Sequence, residues 1–155
     1  MFRCPLPLLL AALLAAGCGT AGPPRVTFEA GTASVQAGPT QYCDNELTDC
    51  RNDEAAPVDM VVPPGTALRV SVPSEIAETP WHLVFRYRDA AGAEIDGRSP
   101  VLSQQDDYAL ELPAPTDRLI IAEVQQFGPP PQANPSTGEI EFPIRASWIL
   151  RARAS

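Results

Sequence analysis

The sequence predicts an all-β fold. Three observations carry that prediction: apolar and polar residues alternate with period two in one short segment after another, Pro and Gly fall between the segments, and no stretch combines a helical period with capping residues. The composition agrees. Pro occurs 18 times in 155 residues, which disfavours long helices, while 45% hydrophobic residues suffice for a core. The length allows one domain.

Residues 1–17 begin Met1-Phe2-Arg3, turn apolar from Leu6 to Ala16 and end in small residues. An apolar run of about eleven residues is too short to span a bilayer, which takes about 20. With its basic start and small-residue end it reads as a secretory signal peptide. The run closes Leu14-Ala15-Ala16-Gly17-Cys18, which resembles the lipobox of bacterial lipoproteins, with Ala15 standing where Leu is commoner. That resemblance implies cleavage after Gly17 and a diacylglyceryl group on the Cys18 sulfur, and two or more acyl chains anchor a protein stably. Residues 18–24 then form a lipidated tether that reaches at most about 20 Å, and residues 25–155 form the domain. Losing residues 1–17 removes Arg3 and no acid, so the mature chain is one unit more negative than the formal −8 of the whole.

Within the domain, Val26, Phe28 and Ala30 alternate with Thr27 and Glu29, and Leu68, Val70 and Val72 alternate with Arg69 and Ser71. Trp81, Leu83, Phe85 and Tyr87 share one face of a strand, with His82, Val84, Arg86 and Arg88 on the other. Tyr108, Leu110 and Leu112 form a fourth segment. Ile120, Ala122 and Val124 lie in a run with Leu119 and Ile121, so both faces there look buried. Ile144, Ala146, Trp148 and Leu150 close the series. Between Pro73 and Glu78 there is room for at most one helical turn. About seven short strands at such intervals read as a single antiparallel β-sandwich of immunoglobulin-like arrangement, with Trp81 and Trp148 facing inward. A small β-barrel is the other solution.

Cys4 leaves with the signal peptide and Cys18 is taken by lipid, which leaves Cys43 and Cys50. In an exported protein such a remainder reads as one disulfide. Their spacing is wider than that of thioredoxin-like motifs or zinc knuckles, and a metal site would need the lone His82 to complete it. Asp44, Glu46, Asp49, Asp53 and Glu54 crowd the same segment. Asp49 stands where an EF-hand needs Gly and Arg51 would repel a cation, so the segment reads as a solvated acidic loop with no metal.

Residues 128–138 join the last two strands and are too long for an ordinary hairpin turn. Pro129, Pro130, Pro131 and Pro135 stiffen this loop, so it loses little entropy on binding. With Gln132 and Asn134 they form the candidate binding loop. The bland alternative is a spacer that shields a sheet edge.

Chemistry is thinly represented. His82 would have to serve any Ser-His-Asp or Cys-His arrangement, and strand parity places it as a surface residue beside Arg86 and Arg88. No nucleophile elbow, HExxH helix or phosphate-cradling loop occurs. Glu123, inside an apolar strand, is expected to pair with Arg145 or Arg86. Asp106 and Asp107 are neighbours whose natural home is a turn. All 11 basic residues are Arg, against 19 acidic ones, so phosphate-backbone binding is disfavoured and no nucleic-acid partner is expected.

The chain also resembles a known family. Gln41-Tyr42-Cys43, Pro63-Pro64-Gly65-Thr66, Ser71-Val72-Pro73, Thr79-Pro80-Trp81 and Arg86-Tyr87-Arg88-Asp89 carry the likeness. So do Arg98-Ser99-Pro100, Glu123-Val124-Gln125-Gln126-Phe127-Gly128 and Ala146-Ser147-Trp148. These motifs span nearly all of residues 25–150 and are similar to an uncharacterised lipoprotein family of high-GC Gram-positive bacteria, the domain of unknown function 2771 family. The resemblance implies export and membrane anchoring, and brings no activity, cofactor or catalytic residue with it.

The expected protein is therefore not an enzyme and needs no cofactor. It is held at the outer face of the cytoplasmic membrane by lipidated Cys18, and binds an envelope protein or supports assembly there. A carrier of an apolar molecule between the sheets is the alternative, and a carboxylate-based envelope hydrolase a further one.

Overall fold

The alternating segments pair into antiparallel sheets whose apolar faces share one core. The architecture comes from a computed structural model, which describes residues 22–154; the signal-peptide segment and Cys18 lie outside the described residues. In chain order the strands are β1 (Val26–Ala30), β2 (Ala33–Ala37), β3 (Gln41–Cys43), β4 (Cys50–Asn52), β5 (Val58–Val61) and β6 (Leu68–Ser71). One turn of helix, α1 (Ser74–Ala77), precedes β7 (Trp81–Arg88), β8 (Glu94–Arg98), β9 (Asp107–Leu110) and β10 (Arg118–Phe127). The small strands β11 (Gln132–Ala133) and β12 (Ile140–Glu141) and the long β13 (Ile144–Arg153) complete the chain. Nearly everything with regular structure is β.

One sheet runs β2-β1-β6-β9 and the other β4-β3-β13-β10-β7-β8, with β5 added along β13. The first begins with a tight hairpin, where Gly31 takes φ 59° between β1 and β2. Phe28, Val70, Trp81, Leu83, Val124 and Trp148 are wholly buried members of a core built from both sheets. Period two explains this: in β1 the buried residues are Val26, Phe28 and Ala30, as the alternation predicts. Trp81 and Trp148 both face inward, as expected, and each indole N–H finds a carbonyl: Gln105 O at 2.9 Å and Pro24 O at 2.9 Å.

The structure departs from the sequence reading in several places. β2, β3, β4, β5 and β8 are additional strands; most are short and partly polar, and β4 is exposed throughout. β5 pairs with β13 in parallel, Leu150 opposite Val58, so the second sheet is not purely antiparallel. In β10 a bulge at Ile120 shifts the register between Leu119 and Ile121. The inward residues are thus Leu119, Ala122, Val124 and Gln126, while Ile121 and Glu123 are only half-buried. On the second sheet's outer edge, Gly97 lies against Phe85, and a Cβ there would sit 2.5 Å from its ring.

Candidate functional site

The chain enters the domain beside the start of β13. Pro24 is buried, and its carbonyl accepts the Trp148 Nε1–H. Pro24, which the sequence reading assigned to a tether, is therefore part of the folded body. A groove of about 760 Å³ opens here, lined by Pro23, Arg25, Tyr42, Asp44, Arg51 and Arg145, among others.

The disulfide hairpin forms one wall. β3 and β4 set Cys43 opposite Cys50, and the two are bonded, with Cα atoms 4.0 Å apart. Two of the acids here bond the nearby backbone. Asp44 accepts the Thr48 N–H at 2.7 Å and the Thr48 hydroxyl at 2.5 Å, and Asp53 accepts the Ala55 N–H at 2.9 Å. The Thr48 hydroxyl bond, with backbone N–H groups beside it, holds the Asp44 carboxyl below the usual carboxylate range. A second bulge, at Arg145 where β10 and β13 shift register, turns its guanidinium toward this hairpin. Arg145 Nε donates to Cys43 O at 3.0 Å and its guanidinium lies 5.4 Å from the Tyr42 ring centre. Glu123 consequently has neither of its expected partners. It instead accepts Gln125 Nε2–H at 3.1 Å, because Arg145 is spent on the hairpin and Arg86 is bound bidentately to Asp96 at 2.7 and 3.2 Å.

The segment after β10 is more structured than a loop. It continues to Pro143, whose carbonyl accepts the Gly128 N–H at 2.8 Å, and carries its own ribbon of β11 against β12. Pro129 is half-buried, whereas Pro130, Pro131, Gln132 and Pro135 are exposed. Asn134 differs in role: it ties the ribbon together. Its Oδ1 accepts Ser136 N–H at 2.8 Å, its Nδ2 donates to Glu141 at 2.6 Å, and its carbonyl accepts the Gly138 N–H at 2.8 Å. With its amide so engaged, Asn134 has little left to offer a partner.

Two residues escaped the sequence reading. Ile140 and Phe142, 59% and 60% exposed, stand on the return arm of the ribbon. The alternation Glu139-Ile140-Glu141-Phe142 was the available signal. Phe142 meets Phe127 edge-on at 6.3 Å, and Phe127 meets the His82 ring at 4.8 Å. His82 is therefore not a surface residue. Parity puts it on the outer face, but Phe127 covers it and its Nε2 pairs with Gln125 Oε1 at 2.8 Å, leaving 7% exposed.

The proline-rich ribbon and the acidic hairpin are neighbours. A Cβ at Gly128 would lie 3.4 Å from Leu47 Cδ2. α1 adjoins them: Gln126 Nε2 donates to Thr79 Oγ1 at 2.8 Å and to Glu75 O at 3.2 Å, and Phe127 N–H to Pro80 O at 3.0 Å. One end of the second sheet thus gathers the start of the domain, the disulfide hairpin, the α1 connection and the ribbon. Among the described residues no group of three or more His, Cys, Asp or Glu is placed to hold a metal.

The family described as a protein of unknown function, DUF2771, matches residues 20–152. No curated protein and no solved structure matches the chain.

Proposed function

We propose that this chain, which belongs to the DUF2771 family, is a lipid-anchored cell-envelope lipoprotein of a high-GC Gram-positive bacterium, a non-enzymatic binding or assembly module on a single immunoglobulin-like β-sandwich. Strand order supports the fold. The orders β13-β10-β7 and β1-β6-β9 correspond to the G-F-C and A-B-E orders of immunoglobulin domains, with β2, β3, β4 and β5 as edge additions. In that correspondence residues 128–143 are the F–G connection and the α1 segment is the B–C connection. These loops lie at the end that variable domains use for recognition.

One observation carries the binding reading: at that end, Ile140 and Phe142 stand about 60% exposed on an ordered, proline-stiffened ribbon. A monomer gains nothing by holding an aromatic ring in water, and an aromatic anchor on a stiff loop is what recognition surfaces use. Export is supported by the Cys43–Cys50 disulfide, which belongs to oxidising compartments. Anchoring through Cys18 is supported by the leader pattern. The partner is an envelope protein; the carrier and hydrolase readings draw no comparable observation.

The test uses the full chain in its own cells. Gly128 and Pro143 are hydrogen-bonded to each other, so residues 129–142 can be replaced by a short turn that leaves β10 and β13 paired. The deletion removes partners captured by crosslinking, and Cys18→Ala releases the protein from the membrane fraction. Unchanged capture after deletion contradicts the binding reading, and unchanged retention of Cys18→Ala contradicts the anchor.

A further inference from the structure

At the far end of β13, away from the ribbon, the outer face of the second sheet gathers guanidinium groups. Three neighbouring strands each place an arginine there: Arg88 ends β7, Arg118 begins β10 and Arg153 ends β13. Arg88 and Arg118 are directly opposed across the β7–β10 ladder. Like charges in that position repel and destabilise the pair of strands. The acids at hand offset only part of this. Glu94 takes one Arg88 nitrogen at 2.6 Å, and Asp59 is shared between Arg153 at 3.1 Å and Arg151 at 3.1 Å. Among the described residues Arg118 makes no ion pair. Four guanidiniums therefore face two carboxylates, in a chain whose overall charge is −8.

These arginines border a cleft. Arg88, Arg118 and Arg153 line a space of about 200 Å³ whose other walls include Val62, Pro64, Leu119 and Ile120. The volume lies below the roughly 300–1,000 Å³ of drug-sized ligand sites, and so suits one small anionic group. Guanidinium forks match the paired oxygens of oxyanions, a geometry ammonium groups lack. We infer that this cleft is a binding site for a small oxyanion of the phosphate class, held by Arg118 and the uncommitted nitrogens of Arg88 and Arg153. Bound there, the anion removes the Arg88–Arg118 repulsion and stabilises that corner of the sheet.

The site is tested by titrating the full chain in detergent with inorganic phosphate by calorimetry, at ionic strength fixed with sodium chloride. Saturable binding is expected. Arg118→Gln weakens it about tenfold, Arg118→Lys by less, and Arg69→Gln, on the other sheet, leaves it unchanged. Glycerol phosphate run in parallel distinguishes a free ion from a phosphate borne by a larger molecule: the first source favours phosphate, the second the ester. Absence of saturable binding by both overturns the inference. So does equal loss in Arg69→Gln and Arg118→Gln, which would make the effect one of general charge. The variants' unfolding midpoints, measured without phosphate, are expected to be no lower than that of the unaltered chain, because Arg118 is exposed and stands opposite Arg88.

Discussion

Trp148→Phe tests how the start of the domain is fastened to its core. The Trp148 indole is fully buried, and its N–H meets the carbonyl of buried Pro24 at 2.9 Å, across 124 residues of sequence. Phe keeps one ring but deletes the donor and the second ring. A buried acceptor left without its partner costs about 1–3 kcal/mol. The lost ring atoms and the space they leave add roughly 1–2 kcal/mol. The expected destabilisation is about 3 kcal/mol. Urea unfolding measures it, followed by the fluorescence of Trp81, the other of the chain's 2 tryptophans. The same substitution should expose the 22–24 segment to limited proteolysis, because Pro24 loses its hydrogen bond from the Trp148 indole. A loss under about 1 kcal/mol, or unchanged proteolysis, would show that the contact does not fasten the segment.

Other substitutions probe the surroundings. Gly97→Ala forces a methyl to within 2.5 Å of the Phe85 ring; a loss of about 1–3 kcal/mol in the urea midpoint is expected, and a neutral result would mean the ring is free to move aside. Replacing Cys43 and Cys50 by Ser removes a crosslink of sequence separation 7, for which chain entropy predicts a loss of about 2.5 kcal/mol; wild type in reductant should unfold at the same urea concentration. Hydrogen bonding to Arg153, then to Arg151, lowers the Asp59 pKa. A depressed carboxylate contributes stability present above its unfolded pKa and lost as pH falls through the folded value. Amide protection in β5, corrected for the intrinsic pH dependence of exchange, should thus fall below about pH 4, and Asp59→Asn should flatten that dependence.

What was legible in the sequence follows the reach of the signals. β1, β6, β7 and β13 alternate because one face of each meets the core, so pattern alone located them. The inward tryptophans followed from the same parity. β4 has no buried residue and β5 depends on a parallel partner about 90 residues away, so no local pattern marks either. The bulge at Ile120 was hidden inside an apolar run whose two faces look alike. His82 was assigned to the correct face, but its burial depends on Phe127, set across the β7–β10 ladder, and pairing across strands is invisible along one strand. The proline-rich segment stood out by composition. Its apolar tips Ile140 and Phe142 did not, because the segment looked finished at Gly138.

The central claim is that the ribbon end of the sandwich is where an anchored module meets its partner. A photo-crosslinking residue in place of Phe142, in the otherwise unchanged chain in living cells, tests it most directly, with the same residue in place of exposed Arg69 as the comparison. The account predicts a discrete crosslinked species from position 142 and none from position 69. No discrete species from 142, or the same products from both, would contradict it.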